Sequence, residues 1–311
     1  MSPRRSAFFD VGTNTILCVI AEIRDTGRFR VLEDMGEITR LGQGVGQTRR
    51  ISAEGEERSL AVLKRYRCRC EDLGVDEIVA VGTSALRDAE NSGEVCARFQ
   101  VELGFDIRVI SGAEEAAYSF VAVQRGLTLT EDQILVIDIG GGSTEFISGD
   151  RGGIFQAVSL DLGSVRLTER FLPSDPVRAD EVKRMNAAID QELSRLPEHG
   201  FALDPTFALV GIAATCTTLV AMEKNLALYC HRDVHGSTLT LDAVKRQLDR
   251  LERRSVAERR QLPGLDPQRA DVIFAGACLL ERIMDRYQSD HIIVSDQGVR
   301  YGLLHAAARP L

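Results

Sequence analysis

Asp138 and Glu145 flank Gly140, Gly141, Gly142, Ser143 and Thr144 within ILVIDIGGGSTEFI, residues 134–147. An apolar run ends in one carboxylate, three glycines and two hydroxyls follow, and the second carboxylate opens another apolar run. The pattern predicts strand, tight turn, strand. The glycines are expected to take positive φ and to bring backbone N–H groups close to a ligand. A concavity of amides binds anions, phosphate first of all. Two carboxylates beside phosphates are where a divalent cation, Mg2+ or Mn2+, is expected. Taken alone, the stretch reads equally well as a glycine hairpin with nothing bound.

A second copy changes that balance. FFDVGTNTILCVI, residues 8–20, has the same layout, with Asp10 against Asp138, Gly12 against Gly140, Asn14 against Gly142 and Thr15 against Ser143; Thr13 lies between. A repeat at such long spacing implies a duplicated domain rather than a solenoid. Two such hairpins, one per half, are expected to face each other across an interdomain cleft.

Ser111-Gly112-Ala113-Glu114 has capping-box spacing, which assigns Glu114 to the start of a helix. Glu115 is turned about 100° further around that helix and is not needed by the cap. It falls in the first turn after a strand, where cleft residues of α/β domains lie. A free carboxylate there can take the proton of a water attacking phosphorus. A surface glutamate that complements the helix dipole has the same signature. Arg87, after GTSAL at the end of another strand, can hold a phosphoryl oxygen or stabilise transition-state charge. Arg166, in LDLGSVRLTERF, is a second candidate for that contact. Either arginine also reads as an ordinary surface residue. The five histidines have no metal-ligand spacing, and the chain has no G-x-S-x-G elbow and no Walker lysine. Acyl hydrolases and P-loop NTPases are thereby disfavoured.

Positioning these groups takes two similar sets of elements. The first half reads as the hairpin, a third strand over Phe29–Thr39, a mobile glycine loop over Leu41–Gln47 with Arg40 at its edge, and a helix from Ser52 to Leu73. Strand Glu77–Gly82, the Arg87 segment, helix Ser92–Leu103, strand Asp106–Ile110 and the Glu115 helix follow. The second half repeats the order, adding charged helices over Asp242–Arg260 and a helix capped by Asp266, opened by Pro267 and running to Tyr287. Two βββαβα halves predict an α/β fold with two mixed sheets. The domains are expected at 1–126 and 127–311, with the closing helix, about 298–311, able to pack back on the first. The chain has 311 residues, 44% of them hydrophobic, enough for a core in each half. A net charge of −8 argues against nucleic acid as a partner. No apolar run is long enough to span a membrane and no secretory signal opens the chain. The seven cysteines lack disulfide or zinc spacing and read as reduced thiols of a cytoplasmic protein.

Together these segments resemble the Ppx/GppA family, the exopolyphosphatases and guanosine pentaphosphate phosphohydrolases of the actin-like, sugar-kinase superfamily. DVGTNT, GTSALRDA, ISGAEEA, DIGGGSTE, LDLGSVRLTERF, LPGLDPQRADVIFAGA and SDQGVRYGLL carry the likeness in order along nearly the whole chain. The resemblance implies two ribonuclease-H-like domains and removal of a terminal phosphoryl group from a linear phosphate chain by in-line water attack. It implies Glu115 as general base and Arg87 as a phosphate contact. Asp138 and Glu145, with Asp10, would hold the Mg2+, and the two hairpins would cradle phosphate. Inorganic polyphosphate is the expected substrate, guanosine pentaphosphate (pppGpp) the alternative, and a catalytically weak sensor or a kinase on the same fold are further readings. A homodimer is implied by resemblance alone. Two departures stand out: Leu17 lies where the family often carries Arg or His, and Gly211-Ile212-Ala213-Ala214-Thr215 replaces a G-x-G-G-T turn.

Overall fold

The computed structural model describes residues 3–201 and 207–308. The chain forms two α/β units, one running to Ala122 and resuming at Val299, the other spanning Val123–Gly298.

The first unit is built on β1 (Arg4–Val11), β2 (Thr15–Ile23), β3 (Phe29–Ile38), β4 (Glu77–Gly82) and β5 (Ile107–Val109), in the order β3-β2-β1-β4-β5. β1, β2 and β3 are antiparallel neighbours, and β4 and β5 run parallel to β1. The middle of β1, Ala7-Phe8-Phe9, is apolar on both faces because both are covered. Ala7, Phe9 and Val11 enter a core with Leu60, Leu63 and Tyr66 of helix Ala53–Asp72 and Phe99 of helix Ser92–Leu103. Phe8 enters a second core on the opposite face, with Ala122 of helix Gly112–Gly126 and Val299, Leu303 and Leu304 of helix Val299–Ala307. This last helix is fixed by charge as well. Arg300 makes a two-pronged contact with Asp34 of β3 at 2.9 and 3.0 Å, and the Tyr301 hydroxyl donates to the same carboxylate at 2.8 Å. Arg300 and Asp34 are almost fully buried, and such a pair holds only with its hydrogen bonds complete.

The second unit repeats the plan. β6 (Gln133–Ile139), β7 (Thr144–Asp150), β8 (Gly153–Leu160), β9 (Phe207–Ile212), β10 (Ser237–Thr240) and β11 (His291–Val294) lie in the order β10-β11-β9-β6-β7-β8. Read from β8, the first five places are those of the first sheet, and β10 adds an antiparallel edge. Its core is formed by strand residues such as Ile137 and Phe146 with helices Ala213–Glu223 and Ile273–Arg286.

Three sequence expectations change. Asp266 does cap, accepting from the Gln268 amide at 2.9 Å, but Pro267 opens only a 3-10 turn over Pro267–Arg269. The bonds after it span three residues rather than four, as in Val272 N–H to the Arg269 carbonyl, and an α-helix starts afresh at Ile273. The glycine loop after β3 contains a short helix, Val45–Thr48. β10 is an addition to the expected strands, its four residues being too few to show a period. No helix among the described residues is long and apolar enough to cross a membrane.

Candidate active site

In the second unit the β6–β7 register puts Asp138 directly opposite Glu145. Facing residues of an antiparallel pair leave the same side of the sheet, with Cβ atoms about 5 Å apart. Both are buried, at 8% and 1% exposure. Ser159, opposite Glu145 on β8, donates its hydroxyl to Glu145 Oε1 at 2.6 Å. Burial pushes the thiol of nearby Cys216 up, and the charge of Asp138 adds to the shift. Two facing carboxylates taken out of water repel, and a hard cation with oxygen ligands relieves that repulsion. The donor set therefore fits Mg2+. In the first hairpin the register sets Asp10 against Leu17, so that copy offers one carboxylate where the second offers two.

The turns themselves are alike. Gly12 N–H donates to the Thr15 carbonyl at 3.1 Å and Gly140 N–H to the Ser143 carbonyl at 3.0 Å. Behind the second turn, helix Ser164–Phe171 begins. Its amides take the outward carbonyls: Ser164 N–H donates to Gly140, and Val165 and Arg166 N–H to Gly141. Arg166 Nε donates to the Gly142 carbonyl at 2.8 Å. In a trans peptide the N–H points opposite to the carbonyl. With three successive carbonyls held to the helix, the amides of Gly141, Gly142 and Ser143 point away from it, as an anion cradle requires. Behind the first turn the same work falls to the loop after β3. There Gly42 N–H donates to Thr13, and Thr39 and Arg40 N–H donate to Asn14. The side-chain Nδ2 of Asn14 is buried without a hydrogen-bond partner, an orphaned donor in an anion-binding turn.

The expected use of glycine needs correcting. None of Gly12, Gly140, Gly141 and Gly142 has positive φ. Close approach is what the turn requires. A Cβ on Gly163 would meet the Gly141 carbonyl oxygen at 2.3 Å, and one on Gly42 would meet Thr13 Cγ2 at 2.4 Å. Leu41-Gly42 and Leu162-Gly163 follow the third strand in each half and extend the repeat; a dipeptide is too short a match to announce itself in the sequence. Thr144 is corrected as well: it is fully buried, and its hydroxyl donates to the Leu162 carbonyl at 2.6 Å, bracing the turn from behind. Positive φ does occur at Arg40 (55°) and Ala213 (64°), the second at the turn departing from G-x-G-G-T, beside Asp138 across the β6–β9 ladder.

Glu115 and Arg87 come together in the first unit. Ser111 and Glu114 form the capping box, Ser111 N–H to Glu114 Oε2 at 2.9 Å and Glu114 N–H to Ser111 Oγ at 3.2 Å. That leaves Glu115 turned inward at 7% exposure. Arg87 Nη1 donates to Glu115 Oε2 at 2.9 Å and to the Ile110 carbonyl at 3.1 Å. Burial raises the Glu115 pKa above the usual glutamate value, while the Arg87 hydrogen bond and charge oppose the rise. Glu114, by contrast, is held at about 2 by the Ser111 amide and Arg108. The Thr83 hydroxyl, at the end of β4, lies 4.0 Å from where a Gly12 Cβ would stand and so joins the Arg87 segment to the first turn. A single threonine at a strand end carries no sequence signal of that role.

The first unit holds a buried carboxylate beside an arginine, and each unit of this duplicated α/β scaffold carries an amide-lined turn suited to phosphate. The chain belongs to the Ppx/GppA phosphatase family, whose sequence profile matches residues 19–309. It is 31% identical over 315 residues to exopolyphosphatase 2 of Mycobacterium tuberculosis, covering 97% of this chain and 98% of that one. It is 34% identical over 298 residues to a bifunctional 3-dehydroquinate synthase/phosphatase of Fusobacterium nucleatum, covering 93% of this chain and 44% of that longer protein. The crystal structure of the Aquifex aeolicus Ppx/GppA family member superposes with a TM-score of 0.81 at 34% identity, over 98% of this chain and 97% of that one.

Proposed function

We propose that the protein is a Mg2+-dependent exopolyphosphatase, releasing terminal orthophosphate from linear polyphosphate. The observation that carries this reading is Glu115, a buried carboxylate with a raised pKa, at the start of a helix and oriented by Arg87. In this reading Glu115 accepts the proton of the attacking water. Arg87 orients it through Nη1, and its Nη2 and Nε, which make no hydrogen bond among the described residues, face the transferred phosphoryl group. The amides of Asn14 and Thr15 and of Gly141, Gly142 and Ser143 hold phosphate oxygens, with Asn14 Nδ2 adding a donor. Arg166 positions the second turn through the Gly142 carbonyl. Asp138 and Glu145 hold the cation, with Asp10 in the matching place of the first hairpin. When bound, Mg2+ neutralises phosphate charge and favours departure of the shortened chain. The M. tuberculosis relative, named an exopolyphosphatase, supports polyphosphate as substrate. The second reading is pppGpp hydrolysis. Ala213, whose methyl occupies a left-handed backbone position next to Asp138, favours polyphosphate because it narrows the turn expected nearest a nucleotide.

Phosphate release from medium-chain polyphosphate and from pppGpp, measured side by side with Mg2+, tests the assignment. Glu115→Gln should lower turnover on the true substrate by about 10²–10⁴ with binding retained. Asp138→Asn should raise the Mg2+ concentration needed for half-maximal rate. Wild-type activity in Glu115→Gln would remove the base assignment, and release mainly from pppGpp would replace the substrate.

A further inference from the structure

Helix Leu241–Glu252 sends Ala243, Val244, Gln247 and Leu251 into the core of the second unit. On another side, Arg246, Arg250, Arg253 and Arg254 line an open cavity of about 520 Å³ with Asp249 and Glu258. Arg246, Arg250 and Arg253 follow one another at helical spacing, about 5–6 Å apart at Cβ. Asp249 and Glu258 in the lining and Glu223 on Arg246 offset part of this charge and leave an excess of positive charge. Glu258 is committed to a capping box, its Oε2 accepting from the Ser255 amide and hydroxyl, both at 2.8 Å. Arg246 pairs with Glu223 at 2.8 Å, and Arg254 Nη1 donates to the Arg250 carbonyl at 2.6 Å. Arg250 and Arg253 make no ion pair or side-chain hydrogen bond among the described residues. In a chain of net charge −8, this is a local concentration of guanidinium donors, the groups best matched to phosphate oxygens. No aromatic side chain lines the cavity, so it offers no stacking platform for bases.

We infer that this groove is a second seat for linear inorganic polyphosphate, separate from the site of hydrolysis. A chain with a charge on every repeat meets a guanidinium wherever it lies along the row and needs no register. The inference rests on the substrate proposed above. The two places are far apart. Arg246 and Gln247 grip Glu223, the last residue of helix Ala213–Glu223, whose first residue follows the partner of Asp138 on β9. Eleven residues at 1.5 Å each put the ends of that helix roughly 16 Å apart. Tripolyphosphate is shorter than that span, and a chain of many phosphates is not.

The test is the Arg250→Glu/Arg253→Glu variant of the full chain. Binding of end-labelled long-chain polyphosphate is measured in EDTA across a salt series, and tripolyphosphate turnover is measured with Mg2+. The expected result is at least tenfold weaker long-chain binding and a log–log salt slope smaller by about 1–2, as for two lost contacts to a single-stranded polyanion. Tripolyphosphate turnover should be unchanged. Long-chain affinity and slope equal to wild type would overturn the inference. So would single-stranded DNA or polyglutamate binding the groove as tightly as polyphosphate and losing that binding in the variant. If the wild type releases phosphate from no chain, the catalytic proposal falls, and the binding comparison still decides the groove.

Discussion

Glu115 is held between two opposing effects, burial raising its pKa and Arg87 lowering it, with burial the larger. The acid limb of kcat/KM should therefore lie above the ordinary glutamate range. In Arg87→Gln, which removes the opposing charge, it should move to still higher pH; a pH–rate profile of the two proteins checks this. Stability carries the opposite sign. A raised folded pKa means that the native chain keeps a proton which the unfolded chain has already released. The Glu115 contribution is therefore favourable at low pH and is lost as pH rises through the raised folded value. Glu115→Gln lacks that slope. Urea titrations across pH should show its stability gaining on wild type over the same window in which wild-type activity appears. Spacing and helix geometry make Glu115 legible in the amino-acid sequence, because the capping box claims its neighbour. Its partner Arg87 is legible there only as a candidate, since a separation of 28 positions along the chain hides the 2.9 Å contact. Thr144 shows the limit: a hydroxyl in a phosphate motif looks ligand-facing in sequence, and only the Leu162 carbonyl across the sheet shows otherwise.

The elements behind the turns set the geometry of the amides, which makes two glycines outside the motifs decisive. Gly163 starts the helix that holds the carbonyls of Gly140 and Gly141. A methyl there has 2.3 Å to the Gly141 oxygen. Gly163→Ala should cost about 1–3 kcal/mol and weaken substrate binding by tilting the second turn, read as a KM increase in steady-state assays. Gly302, in helix Val299–Ala307, would place its Cβ 2.1 Å from the Tyr118 carbonyl oxygen. Tyr118 is one turn beyond Glu115 on helix Gly112–Gly126. Gly302→Ala should thus lower both the melting temperature and turnover, although residue 302 is no part of the proposed site; unchanged kcat with a lowered melting temperature would uncouple this helix from Glu115. The strand pattern is readable because a central strand covered on both faces is apolar on both, as Ala7-Phe8-Phe9 of β1 and Ile134-Leu135-Val136-Ile137 of β6 are. The helix after Pro267 is not, because cap and proline signals mark where a helix-like turn begins and say nothing of whether it continues.

Duplication organises the molecule, and the repeat is visible in sequence because each half needs the same turn chemistry. The halves differ where the second sets Glu145 against Asp138 and the first sets Leu17 against Asp10. The first unit is discontinuous, and its closing helix is joined to β3 by Arg300, Tyr301 and Asp34. Asp34→Ala leaves a buried guanidinium without its anion and should cost about 3–5 kcal/mol, measured by denaturant titration. Asp34→Asn, keeping an acceptor, should cost less. That discontinuity has a consequence during synthesis. The backing of the Glu115 helix is translated only after the whole second unit, roughly ten to thirty seconds later at ordinary elongation rates. Until then the nascent first unit lacks that support for the helix carrying Glu115, the proposed base, and a polypeptide that stalls or is cut before Val299 should carry both phosphate turns and show no turnover.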